Sequence, residues 1–144
     1  MSTPLQKEEP KSPYDAFSIL LHHKHLSPEE RAVLITKAAE VPHIALIARR
    51  FCPNLSQEER EILSTATARI PEEICWAYNL RMSCEDLSPN ECTLLTREII
   101  KHDRKHLALA SALYNHCPNL NNEEIDILRD ACKRSHPQAK SATV

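Results

Sequence analysis

CPNLSQEEREIL, residues 52–63, packs a chain reversal, a helix start and the first turns of a core stripe into one short run. Ser56 is a good N-cap, and Glu59, three residues later, is placed to return its carboxylate to the cap's backbone N–H as a capping box. Ahead of it, CPNL joins a helix-ending proline to an asparagine that tolerates left-handed backbone. The same tetrapeptide recurs at Cys117–Leu120. Paired cysteine motifs raise metal binding or thiol chemistry, whereas the sequence around them points to architecture.

Aligned without gaps, HKHLSPEERAVL from His23, CPNLSQEEREIL from Cys52, CEDLSPNECTLL from Cys84 and CPNLNNEEIDIL from Cys117 form four copies of one unit. Their anchoring leucines, Leu26, Leu55, Leu87 and Leu120, are spaced by 29, 32 and 33 residues. Ser27, Ser56, Ser88 and Asn121 are the caps, and Glu30, Glu59, Glu91 and Glu124 complete four capping boxes. Pro28 and Pro89 fall at the first helical position, where the missing N–H costs nothing. Seven and eight residues past each leucine stand Val33 and Leu34, Ile62 and Leu63, Leu94 and Leu95, Ile127 and Leu128; Ala38, Ala66, Ile99 and Ala131 extend the stripe. This is the period of a helix with one buried face, helix A of the repeat.

A second start signal at Pro42, Pro71 and Asp103 opens a helix B in PHIALIARRF, PEEICWAYNL and DRKHLALASALY, and Ser12–Pro13 opens an equivalent SPYDAFSILLHH. The pattern predicts an all-α fold of about eight helices in the order B, AB, AB, AB, A. Residues 12–134 are expected to form one repeat domain, stacked as a short α-solenoid or compact bundle, with disordered tails at 1–11 and 135–144. The period is near that of tetratricopeptide and ankyrin arrays, but their signature residues are missing. The chain resembles the short α-helical tandem-repeat, α-solenoid-like proteins of bacteria and their phages. That resemblance implies a protein-binding role, such as an inhibitor of a host or defence protein.

The absence of glycine is informative among the 144 residues. Phosphate-cradling loops, dinucleotide fingerprints and nucleophile elbows need positive φ or close backbone approach, so those chemistries are not expected. Asn54, Asn79, Asn90, Asn115 and Asn119 are the candidates for left-handed turns. No stretch has the length and apolarity of a membrane span or a secretory leader, and six cysteines in such a chain read as reduced core thiols, so a soluble cytoplasmic protein is expected.

Cys52, Cys84 and Cys117 share one repeat position, which His23 fills in the first copy, and small buryable side chains at a junction explain them. The sharper reading is a zinc-stabilised domain with Cys84, Cys92, His102 and His106 as ligands, although their spacing lacks the usual short cysteine loop. No metal or other cofactor is expected. For partners, Arg97, Lys101, Arg104 and Lys105 form a basic patch within residues 97–106 that suits nucleic-acid phosphates or an acidic protein. Trp76 and Tyr78 are interface candidates, with core packing the alternative for Trp76. Nothing specifies an activated nucleophile. The leading expectation is a non-catalytic protein-binding module, adaptor or inhibitor; nucleic-acid binding through the patch and a zinc-stabilised domain are the alternatives.

Overall fold

Each of the four cap signals opens a helix in the computed structural model, which describes residues 11–102 and 108–135. The helices are α1 (Pro13–His22), α2 (Pro28–Ala38), α3 (Pro42–Phe51), α4 (Gln57–Thr67), α5 (Cys75–Ser83), α6 (Pro89–His102), α7 (Ala108–His116) and α8 (Asn122–Ser135). The described residues contain no strand, so the all-α expectation holds. The start expected at Asp103 lies outside the described residues, as do residues 1–10 and 136–144.

All four capping boxes form. Ser27, Ser56, Ser88 and Asn121 accept through their side chains from the N–H of Glu30, Glu59, Glu91 and Glu124, and each glutamate accepts in return from the cap's own N–H. Orphan donors at all four A-helix starts are thereby satisfied locally. Replacing a cap by alanine, Ser27→Ala or Ser88→Ala, is expected to cost about 1 kcal/mol in urea denaturation. Equal stability of wild type and both variants would show that the caps contribute nothing.

Helix α5 starts later than its proline signal. Pro71–Glu73 forms a 3₁₀ turn, and the α-helix begins at Cys75 after Ile74, which offers no capping side chain. The tighter i→i+3 pattern takes the entry, a common arrangement at helix N-termini, whereas α3, which also lacks a capping side chain, starts directly at Pro42. Of the five asparagines considered for turns, Asn54 (φ 59°) and Asn119 (φ 61°) adopt left-handed backbone. Both belong to CPNL; Asn79, Asn90 and Asn115 lie inside α5, α6 and α7.

The chain divides into two compact units, Met1–Thr67 and Ala68–Val144. In the first, α1 packs on α2 and α3 on α4, while α1 also neighbours α3 and α2 neighbours α4. The second repeats this scheme with α5 to α8. Phe17, Leu20, Leu34, Ile35 and Leu63 fill the first core, with alanines 16, 38, 45, 48 and 66 allowing close helix approach. Leu80, Leu95, Ile99, Leu113 and Leu128 are fully enclosed in the second.

The expected apolar stripe is narrower than its sequence pattern. Leu34, Leu63, Leu95 and Leu128, eight residues past the anchor, are buried. Their preceding neighbours are not: Val33 and Ile62 are exposed, and Leu94 and Ile127 are half-buried. Successive residues are about 100° apart around a helix, and the buried sector is centred beyond position eight, so position seven falls on its shoulder.

Candidate functional site

In each unit, one capping glutamate does more than close its helix. Glu59, at the start of α4, receives Arg31 of α2 in a two-pronged pair, Nε to Oε2 at 3.0 Å and Nη2 to Oε1 at 2.9 Å. Ser56 N–H also donates to Oε1 at 2.9 Å. Hydrogen bonding from Arg31 chiefly holds the Glu59 carboxyl below its usual range, against the opposing effect of burial.

Glu124 occupies the same repeat position in the second unit and is completely buried. Arg81 of α5 donates Nε to Oε2 at 2.7 Å and Nη2 to Oε1 at 2.9 Å, Thr96 of α6 donates its hydroxyl to Oε2 at 2.7 Å, and Asn121 N–H donates to Oε1 at 3.0 Å. Arg81 also donates to the Asn119 carbonyl at 3.3 Å, tying α5 to the CPNL turn. Burial acts to raise the Glu124 pKa, but the bonds from Arg81, Thr96 and Asn121 outweigh it and hold the carboxyl low. A carboxylate met by four donors is ionised and saturated, with no lone pair directed at a substrate.

The two centres use different scaffolds for the same bond. Aligning Leu26 with Leu87 puts Leu20 at the place of Arg81 and Cys92 at the place of Arg31. The guanidinium comes from an A helix in the first unit and from a B helix in the second. The sequence pattern missed this pairing, although an arginine and Thr96 at positions where the other copy has Leu20 and Ile35 were a usable signal.

The cysteines of CPNL sit beside these centres. Burial pushes the Cys52 thiol up to about 11, partly opposed by Arg31, and likewise moves Cys92 up to about 11, partly opposed by Arg81. Cys117 is raised by burial as well. Such thiols are protonated at neutral pH and are weak nucleophiles. Cys52 packs into the first core, as a small apolar residue at a junction does.

Of the zinc candidates, Cys84 Sγ donates to Asp86 Oδ1 at 3.1 Å, Cys92 is buried, and His102 lies 3.4 Å from Glu98. Cys92 and His102 are ten residues apart on α6. That is about 15 Å along the axis, so one ion does not reach both. His106 lies outside the described residues. Among those residues, no group of three or more His, Cys, Asp or Glu side chains is gathered as a metal site.

Among the described residues, the partner candidates lie on two neighbouring helices, α5 and α6. Trp76 and Tyr78 are both half-buried and stand two positions apart on α5, which turns them to opposite sides of the helix. Arg97 is exposed and paired with Glu123 of α8, so a carboxylate accompanies the described part of the basic stretch. Lys101 is exposed near the end of α6, and Arg104 and Lys105 lie outside the described residues. No helix among the described residues is long and apolar enough to cross a membrane.

A feature that the sequence reading passed over lies at the end of α3. Phe51 is 53% exposed, and the Arg50 guanidinium carbon lies 4.9 Å from its ring centroid, a cation–π contact on the surface. The only forewarning was an aromatic residue directly before CPNL, where the A-helix pattern has no place for it. Comparison with family models, with curated proteins and with solved structures gives no match for this chain.

Proposed function

We propose that this chain is a non-catalytic protein-binding module, an adaptor or inhibitor acting in the cytoplasm. The observation that carries the reading is the Arg50–Phe51 pair: an exposed aromatic ring with an arginine stacked on it, at the junction between α3 and α4. Aromatic residues and arginine are enriched in protein interfaces, and a ring held by its neighbour loses little freedom on binding. Arg31, Glu59, Arg81 and Glu124 are engaged with one another inside the fold and are not offered to a substrate. The six cysteines form no disulfide with one another, as suits a reducing compartment.

Nucleic-acid binding is the reading to test against it. Wild type and an Arg50→Ala/Phe51→Ala variant are used as paired baits in lysate of the native host, and binding of the captured protein is then measured with purified components. At least a tenfold loss of affinity in the variant, with unchanged circular dichroism, is expected; equal affinity overturns the assignment of this surface. In parallel, mobility-shift assays at about 150 mM salt are expected to show no submicromolar binding to DNA or RNA. Submicromolar binding that weakens steeply with salt and disappears in Arg97→Ala/Lys101→Ala makes nucleic acid the better answer.

A further inference from the structure

Helix α2 has one side that nothing in the first unit covers. Arg31 reaches Glu59 on α4, and Ile35 is buried, so these residues mark the side of α2 turned to its neighbours. Val33 stands two positions from each, about 200° around the helix from both. It is 55% exposed, the most exposed large aliphatic residue among those described, whereas its counterpart Ile62 on α4 is 41% exposed. Val33 therefore lies on the outer edge of the helix pair.

The residues around Val33 have a pattern that complements itself. Glu29, Val33 and Lys37 follow one another at intervals of four, forming a single stripe with an acid at one end, an apolar centre and a base at the other. Ala32 and Thr36, both exposed, flank the centre with small side chains that let another helix approach closely. Lys37 is held near its own Glu40 at 3.3 Å, so its ammonium is already directed along this edge. Rotating the stripe by half a turn about Val33 places Glu29 against Lys37 and Lys37 against Glu29.

We propose that this edge of α2 pairs antiparallel with α2 of a second copy of the chain, Val33 against Val33, with two Glu29–Lys37 contacts between copies. A two-fold interface requires a surface that matches itself, and the order acid, apolar, base along one helix meets that requirement. The contact is separate from the Arg50–Phe51 surface and does not depend on its role. A single short helix edge is smaller than the interfaces of obligate dimers, so the association is reversible and weak.

The test is sedimentation velocity of the full chain from low-micromolar to near-millimolar protein. Wild type is expected to pass from monomer to dimer, and Val33→Glu to weaken the dimer by more than about tenfold by placing two like charges at the two-fold axis. Thr36→Glu, at an exposed flanking site that faces the acidic end of the second copy's stripe, provides a second disruption. Circular dichroism reports whether each variant keeps its helices. Glu29→Lys and Lys37→Glu are each expected to weaken association about fivefold, and the double swap to restore it to within about twofold, because it rebuilds both contacts in reverse. A monomer at every concentration overturns the proposal and leaves the edge to a different protein. A dimer indifferent to both Val33→Glu and Thr36→Glu, or single charge variants that the double swap does not rescue, overturns it equally.

Discussion

Glu124→Gln is expected to destabilise the second unit by about 3–5 kcal/mol, because it leaves the Arg81 guanidinium buried without a counter-charge. The amide keeps the size of the side chain and an acceptor for the Asn121 N–H, so the loss reports mainly the ion pair rather than the helix cap. Arg81 and Glu124 expose 5% and 0% of their side chains, compared with 22% and 17% for Arg31 and Glu59. Glu59→Gln is consequently expected to cost less, since solvent supports the arginine it abandons. Adding Arg81→Leu to Glu124→Gln should recover a substantial part of the loss, because the uncompensated charge is then gone. Denaturant melts that show less than about 1 kcal/mol for Glu124→Gln would remove the ion pair from the account of stability.

The same pair sets a direction for pH. The folded-state pKa of Glu124 lies below the ordinary carboxyl value of 4.5, as does that of Glu59. Their contribution is present in full above that ordinary value and is lost as pH falls through the depressed folded values. Melting temperature is expected to fall as the solution is acidified below about pH 4.5, and Glu124→Gln should flatten that fall. An acid limb as steep in the variant as in wild type would assign it to other groups.

Leu63→Ala and Leu95→Ala are each expected to cost about 2–5 kcal/mol, the range for a large-to-small change at a closed site. Both leucines are 0% exposed and occupy the same repeat position, one in each unit. By contrast, Ile62→Ala and Leu94→Ala, one residue earlier, remove side chains that already touch solvent, and smaller losses are expected. Denaturant melts of the four variants give the comparison directly. A loss below about 0.5 kcal/mol for either leucine would be incompatible with its enclosed position.

The A helices were legible because their start signals are local. A serine or asparagine and a glutamate three residues later specify reciprocal bonds without reference to the rest of the chain, and all four form. The leucine eight residues past each anchor was legible for a related reason, as the residue nearest the centre of the buried sector. Position seven was not, because its exposure depends on what lies beside the shoulder of each helix. The start of α5 was displaced by the 3₁₀ turn at Pro71–Glu73, which the local pattern does not distinguish from the equally uncapped start of α3 at Pro42.

Less of the candidate site could be read in advance. Arg81 and Glu124 are 43 residues apart in sequence, and their pairing follows from α5 and α8 both packing on α6 and α7, with the CPNL turn alongside. Trp76 and Tyr78 attracted notice as residue types, but their spacing turns them apart. Arg50 and Phe51 were hidden within an apparently ordinary helix end; their exposure comes from the chain leaving α3 at Cys52.

The changed origin of the guanidinium also limits how these helices can be recombined. Exchanging α1 for α5 would bring Leu20 to the place of Arg81, stranding Glu124 in the second unit, while delivering a surplus arginine beside a Glu59 already engaged by Arg31. Swapping α2 with α6 has the mirror fault, removing Arg31 from Glu59 and Thr96 from Glu124. Single helices are therefore not interchangeable parts, despite their common cap and core pattern. The first two helices of each unit carry the matched set, and a shuffled chain keeps these arginine–glutamate pairs only when those two travel together.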